Sequence, residues 1–372
     1  MNKLGVKHKE TSFGSEQKIL LFLAILILIG IIILFSASSF VAYQNKFFNN
    51  NPYYFLLKQS VFLIIGIFIL LVVRKFDYTK LRNLGFVLMV ISTVLLVLVL
   101  VIGKEINGAR RWLNIGIAFQ PSELTEIAIM IFLCSFLSDY EYKRRTNAQL
   151  AVVLAICFIQ VVLILLQPNF STALLICGFM FVILMMSDID KKIIGWLSVP
   201  ASAFIIFMFF RFQHTVSRLN MFFGKSEVKD QIENSMLAVA NGGIMGQGLG
   251  LGKFKLLFIP EVYSDYIFTI IAEETGLIGS IIVIIVYLLL FKEGLDISKR
   301  TISQFGKMLA FSISFLIFFK ALIHIAISVR LLPSTGLVLP FISYGGTGMI
   351  MNLLIIGILI NITKQLPADE RA

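Results

Sequence analysis

The sequence predicts an all-α polytopic membrane protein with about ten transmembrane helices and a large extracytoplasmic loop between spans seven and eight. Three observations predict this. The 372 residues are 58% hydrophobic and only 14% charged, where a soluble domain carries roughly 25% charge. Mean hydropathy is +0.92. Several apolar runs reach about 17 or more residues without a charge, the length of a membrane-spanning helix.

The first span, 19–41, follows a basic, polar stretch from Met1 to Lys18. Ser36-Ala37-Ser38 faintly resembles a cleavage site. The run is longer than the roughly 7–15 residues of a signal-peptide core, so it reads as an uncleaved span. The others are 55–73, 84–102, 122–138, 150–166, 172–187, 193–210, 266–291, 308–329 and 341–362. Ten spans place both termini on one side. With the termini in the cytoplasm, the inner segments hold 19 of the 32 Lys and Arg residues, the outer segments hold 12, and Lys320 lies within a span. Basic residues collect on the cytoplasmic side, which fixes this orientation. Residues 1–372 read as a single integral membrane domain. The 211–264 segment within it keeps patterned apolar residues, so it is expected to be folded; loops this long tend to be functional or disordered.

The composition also excludes several functions. The net charge of +11 belongs to cytoplasmic loops, and no basic, aromatic-interleaved polar domain exists to bind nucleic acid. Cys134, Cys157 and Cys177 sit inside apolar spans and support neither a disulfide framework nor a zinc site. His8, His214 and His324 are scattered, which argues against a histidine metal centre. No metal ligands are assigned.

Four motifs carry chemistry. The first is Asn107-Gly108-Ala109-Arg110-Arg111-Trp112-Leu113, followed by Phe119-Gln120-Pro121-Ser122-Glu123-Leu124. Its paired arginines suit either phosphate oxygens or lipid headgroups, and Ser122 with its neighbours marks a helix start. The second is a glycine cluster, Gly242-Gly243, Gly246, Gly248, Gly250 and Gly252, with Lys253 and Lys255. It fails the P-loop spacing and lacks the strand-helix-strand setting of a dinucleotide site. An anion-binding backbone nest and a flexible turn both remain open. The third is Pro260-Glu261-Val262-Tyr263-Ser264-Asp265-Tyr266-Ile267-Phe268, with Glu273 and Glu274 about two turns deeper. Asp265 stands where the loop meets the eighth span. A partly desolvated acid there suits proton transfer, although an acid near a helix start also favours the helix dipole. Acids inside a span usually face a cavity. The fourth runs from Leu332-Pro333 to Pro340-Phe341, then Ile342-Ser343-Tyr344-Gly345-Gly346. Pro and Gly at membrane depth mean broken backbone, tolerated where it is buried in protein or lines a cavity. Lys320 and His324 share one face of the ninth span, as a buried polar contact or a cavity wall.

At these four places the sequence resembles the SEDS family, the shape, elongation, division and sporulation proteins that include FtsW, RodA and SpoVE. The resemblance covers nearly the whole chain and includes the motif order. Gly248-Leu249-Gly250 and Pro260-Glu261 lean towards the FtsW branch. It implies a peptidoglycan glycosyltransferase of the bacterial cytoplasmic membrane. Such enzymes polymerise lipid II, an undecaprenyl-pyrophosphate-linked disaccharide peptide, at the outer face of the membrane. They work beside a class B penicillin-binding transpeptidase and other divisome or elongasome proteins. The family's catalytic aspartate matches Asp265, and its loop arginine matches Arg111 and Arg110. Glu123, Arg218, Gln231, Ser235, Lys255, Glu261, Ser343 and Gly345 fall on family-like, substrate-binding positions.

Under this resemblance Asp265 takes the proton of the attacking sugar hydroxyl, while Arg110, Arg111, Arg218 and Lys255 stabilise the departing pyrophosphate. A divalent cation is an open possibility, without a ligand cluster that demands one. The chain departs from the family at Glu126, where lysine is common, and at Asn169, His324 and Arg330, where Asp, Asn and Gly are usual. Glu126 reverses a charge, and Lys320 and Arg330 are the cations that would compensate. Two other readings are a transporter of lipid-linked precursors and an inactive scaffold that recruits the transpeptidase.

Overall fold

The computed structural model describes residues 14–106, 109–114, 116, 118–141, 146–211, 216, 222, 230–256, 259 and 261–366. Twelve helices are used below: α1 Ser15–Gln44, α2 Tyr54–Val73, α3 Leu81–Ile102, α4 Pro121–Glu141, α5 Asn147–Leu166, α6 Phe170–Met186, α7 Lys191–Arg211, α8 Asp230–Gly242, α9 Val262–Asp265, α10 Ile267–Arg300, α11 Gln304–Ser328 and α12 Gly346–Lys364. Among the described residues, nine are long and apolar enough to cross a membrane, and α6, with 17 residues, is a shorter apolar helix. Each predicted span falls on one of these ten. The protein is a multi-pass membrane protein.

Helix ends follow from capping chemistry. Proline opens α4, where its missing N–H costs nothing. Thr146 and Gln149 form a reciprocal cap at the start of α5, and Ser303 caps α11 through the Gly306 N–H. The 34 residues of α10 extend about 50 Å, more than the roughly 30 Å hydrocarbon core. This is why α10 overruns its predicted span into the polar stretch around Lys299 and Arg300. At that end Arg300 donates to Ser15 Oγ at 2.5 Å and Lys18 pairs with Glu293 at 3.8 Å, fastening the start of α1.

The helices at the centre are α4 and α12, with 78% of their most apolar stretch buried, against 12% for α7 at the periphery. Around them α2 packs on α12, α3 on α4, and α11 on both α4 and α10, while α1 lies against α10 and α2. Leucine and isoleucine on α2 and α3, and Trp196, Val199, Phe207 and Phe210 on α7, face outward, as lipid contact requires.

Two segments differ from their expected form. The stretch after α3 is an antiparallel sheet, β1 Lys104–Ile106, β2 Ala109–Asn114 and β3 Ala118–Phe119, in the order β1-β2-β3. Six residues of β2 are too short to register against the helical periodicity around them. The second is the supposed loop 211–264, which is partly buried inside the bundle. Helix α8 runs parallel to α10: Ser235 bonds Thr269 at 2.8 Å, Asn241 bonds Glu273 at 3.2 Å, and the Leu277 N–H donates to the Gly243 carbonyl at 2.9 Å. The chain then returns along α10 through the glycine cluster. It is a hairpin packed on α10.

The hairpin fits because α10 is broken where the two meet. Gly276 has φ +66° and ψ −163°, a conformation open to glycine. The Glu273 and Glu274 carbonyls, freed from their helical partners, accept from the N–H groups of Gln247 at 2.9 Å and Gly248 at 3.0 Å. In exchange, the Leu277 and Ile278 N–H groups donate to Gly243 and Ile244. Four backbone groups released by the break are thus paired, as a helix inside a bilayer requires. A Cβ at Gly242 would overlap the Ala272 carbonyl. Gly242→Ala is therefore expected to cost about 1–3 kcal/mol, read as a lower melting temperature of the purified protein in detergent.

Candidate active site

The site is at the end of the bundle that carries the 211–264 segment. The chain between α11 and α12 has no regular helix from Leu331 to Gly345. Its prolines lack N–H donors, and several of its other polar groups are held by side chains and by the backbone of α9. Ser343 Oγ donates to the Ser264 carbonyl at 2.8 Å and accepts from the Leu339 N–H at 2.9 Å. The Tyr344 N–H donates to the Tyr263 carbonyl at 3.0 Å. Gln59 of α2 reaches in, donating to the Ser343 carbonyl at 3.1 Å and accepting from the Gly345 N–H at 3.3 Å. Tyr287 bonds the Pro340 carbonyl. Phe55, Tyr263 and Tyr344 pack together, with Phe55 and Tyr263 centroids 4.2 Å apart. Burial, with Glu261 nearby, pushes the Tyr263 phenol well above its ordinary pKa, so this ring keeps its proton.

These contacts position Asp265. It ends α9, its N–H donates to the Glu261 carbonyl at 3.1 Å, and its side chain is half-buried. A Cβ placed on Gly336 would lie 3.3 Å from Asp265 Oδ2. The carboxylate therefore sits over the Thr335–Leu337 backbone, and a bulkier residue at 336 would crowd it. Removing the hydroxyl by Ser343→Ala leaves a buried N–H and a carbonyl unmatched. The expected loss is about 1–3 kcal/mol, measurable by thermal unfolding.

Below this segment lies a cluster of charges. Lys320 Nζ is 3.1 Å from Glu123 Oε2 and 2.5 Å from Glu126 Oε2. One turn on, His324 Nδ1–H donates to the Leu337 carbonyl at 2.7 Å, and its Nε2 has no hydrogen-bond partner among the described residues. Lys320 is thus the cation that balances Glu126. Arg330 is turned away, exposed, with its guanidinium on the Phe222 carbonyl at 3.2 Å. Asn169 is buried at the start of α6, without a side-chain cap.

The glycine cluster is filled by the protein's own carboxylates. Glu273 Oε1 accepts from the Lys253 N–H at 2.7 Å, and Glu274 Oε2 accepts from the Gly250 N–H at 3.0 Å. Lys255 is buried; its Nζ reaches Glu274 Oε1 at 2.6 Å, Ser36 Oγ at 2.7 Å and the Gly250 carbonyl at 2.7 Å. All three ammonium donors are engaged, so Lys255 pins the hairpin and is not presented as a phosphate-binding cation. Of the two readings left open for the glycines, the nest is occupied by the protein's own carboxylates.

Strand alternation separates the paired arginines. Arg110 faces solvent opposite Glu105, at 3.6 Å. Arg111 turns inward, its Nε donating to the Gln167 carbonyl at 3.3 Å and its Nη2 to that of Pro168. Ser235 is buried against Thr269 and the Ser328 carbonyl. Glu261 is exposed at φ +48°. Gln231 lies on α8 with its side chain outside the described residues, and Arg218 is outside them altogether.

Asp265, Glu261, Ser343 and Gly345 therefore share one locus. Glu123 adjoins it: a Cβ on Gly348 would lie 3.5 Å from Glu123 Oε1 and 3.6 Å from Val338. Lys255, Ser235 and Arg111 hold the surrounding frame. Gln59 escaped the sequence reading, although a lone glutamine inside an apolar span is itself a signal of a buried partner; Ser264 and Ser36 were read without these contacts.

The family of cell cycle proteins that groups FtsW, RodA and SpoVE matches residues 16–367. The chain belongs to the FtsW/RodA/SpoVE family. It is 33% identical over 371 residues to a protein of Geobacter sulfurreducens named "Probable peptidoglycan glycosyltransferase FtsW", covering 98% of each chain. It is 31% identical to stage V sporulation protein E of Bacillus subtilis, covering 95% of this chain and 98% of the relative. The fold resembles a chain from a structure described as a peptidoglycan synthase complex that coordinates polymerization and crosslinking. The TM-score is 0.75 at 23% identity, over 94% of this chain and 98% of that one.

Proposed function

We infer that the protein is a peptidoglycan glycosyltransferase that polymerises lipid II into glycan strands at the outer face of the bacterial cytoplasmic membrane, during division or elongation. The observation that carries this reading is the placement of Asp265, a half-buried carboxylate over the Gly336 backbone at the end of the bundle. The near full-length likeness to relatives named for this activity supports it. So does the basic-residue excess, which turns the Asp265 end outward and leaves both termini in the cytoplasm.

In this reading, a sugar hydroxyl of one lipid II attacks the anomeric carbon of a second chain. The new C–O bond forms as the bond from that carbon to the pyrophosphate oxygen breaks. The electron pair leaves with undecaprenyl pyrophosphate, and Asp265 takes the hydroxyl proton. Arg110, exposed on its strand, and Arg218 remain the cations for the developing pyrophosphate charge. An apolar groove between α5, α6 and α7, lined by Leu154, Phe158, Leu174, Phe181 and Phe204, suits a polyprenyl tail. Among the described residues no three His, Cys, Asp or Glu side chains gather as metal ligands. The partner is a class B penicillin-binding transpeptidase, in a divisome or elongasome assembly.

The test is polymerisation of purified lipid II by the protein with its candidate transpeptidase, glycan products being resolved on a gel. A ladder of glycan strands is expected. No polymer from a folded, partner-bound protein would overturn the enzyme in favour of a scaffold.

A further inference from the structure

Glu123 and Glu126 stand three residues apart on α4, on one helix face, and both reach a single ammonium that comes from α11. The Lys320 and Glu126 side chains are only 4% and 3% exposed, and that of Glu123 is 13% exposed. Removing one partner of such a cluster strands a buried charge. The neutralising charge for both carboxylates thus crosses from another helix.

That crossing matters because of what α11 holds next. His324, one turn beyond Lys320, bonds the Leu337 carbonyl. Leu337 follows Gly336, the residue against Asp265. Glu123 Oε1 faces Gly348 in the first turn of α12, beside Val338. The cluster is the floor beneath residues 336–338.

We propose that Lys320 is a positioning residue for the glycosyl transfer inferred above, supplying from α11 the cation that Glu123 and Glu126 share. By clamping α4 to α11 it holds the 336–338 backbone under Asp265. The proposal rests on that reaction and deepens it. Glu126 is thereby one half of a charge pair that joins two helices.

Three variants of the full chain test this, assayed with the transpeptidase partner. Lys320→Gln leaves two buried carboxylates without a counter-ion. Glu126→Lys sets two ammonium groups against one carboxylate. The double variant, Glu126→Lys with Lys320→Gln, moves the cation to α4. Each single variant is expected to lower lipid II polymerisation about tenfold to a hundredfold, in turnover and not in apparent KM, and to lower Tm. The double variant is expected to regain Tm and most of the parent rate. Lys320→Gln at the parent rate, or a double variant no better than the singles, overturns the proposal. Recovery of Tm without recovery of rate overturns the positioning role. If the parent chain makes no polymer, the proposed reaction fails, while recovery of Tm in the double variant still decides the charge exchange.

Discussion

Asp265→Asn is expected to reduce lipid II polymerisation by about 10²–10⁴-fold, the usual contribution of a positioned general base. Asparagine keeps the shape of the side chain and its fit over Gly336, where the carboxylate oxygen lies 3.3 Å from an added Cβ. It cannot accept a proton. The α9 turn is held by main-chain bonds to Glu261 and by Ser343 on the Ser264 carbonyl, contacts that asparagine leaves in place. Melting temperature and lipid II binding should therefore stay close to the parent while the glycan ladder disappears. A variant that polymerises at the parent rate would remove Asp265 as the base. One that fails to fold would instead assign the carboxylate to structure.

Lys255→Met is expected to destabilise the protein by about 3–5 kcal/mol, the cost of stranding one member of a buried ion pair. Methionine has a similar volume, so cavity formation contributes little. The loss comes from Glu274, left with Ser36 and the Gly250 N–H as partners. Replacing both members, Lys255→Met with Glu274→Met, should recover most of the stability, since a buried pair is often matched by apolar residues. The pair of variants also separates two roles for Lys255. As a pin of the hairpin, it leaves the double variant active in proportion to its folded fraction. As a contact to pyrophosphate, it leaves the double variant folded and inactive.

The ten spans were legible because a membrane helix carries its signal in a continuous local run of apolar residues. Their ends were less so: α10 continues through Lys292 and Lys299 because polar residues beyond the bilayer do not stop a helix. The hairpin's packing was hidden for a different reason. Its contacts with α10 depend on a break in that helix some 30 residues further on. The same distance hid the role of Lys255. Its neighbours in sequence suggest a solvated glycine turn, yet Glu274 and Ser36, both remote in the chain, surround it. The arginine pair shows the converse. Neighbours in sequence were read together, and the strand sends them to opposite faces. Asp265, Ser343 and Gly345 were found through family-like motifs, while Gln59 lay outside every motif.

The exchange of backbone bonds between the hairpin and α10 bears on how such proteins can be recombined. Surface loops usually tolerate replacement because water satisfies whatever they expose. A chimera that swapped residues 230–256 for an unrelated linker would strand the Glu273 and Glu274 carbonyls and the Leu277 and Ile278 N–H groups, all of which now pair with that stretch. Each would cost several kcal/mol at membrane depth. The segment and the eighth span form one transplantable unit, to be exchanged together or left alone. Synthesis respects the same grouping, since the hairpin is made before the helix that needs it.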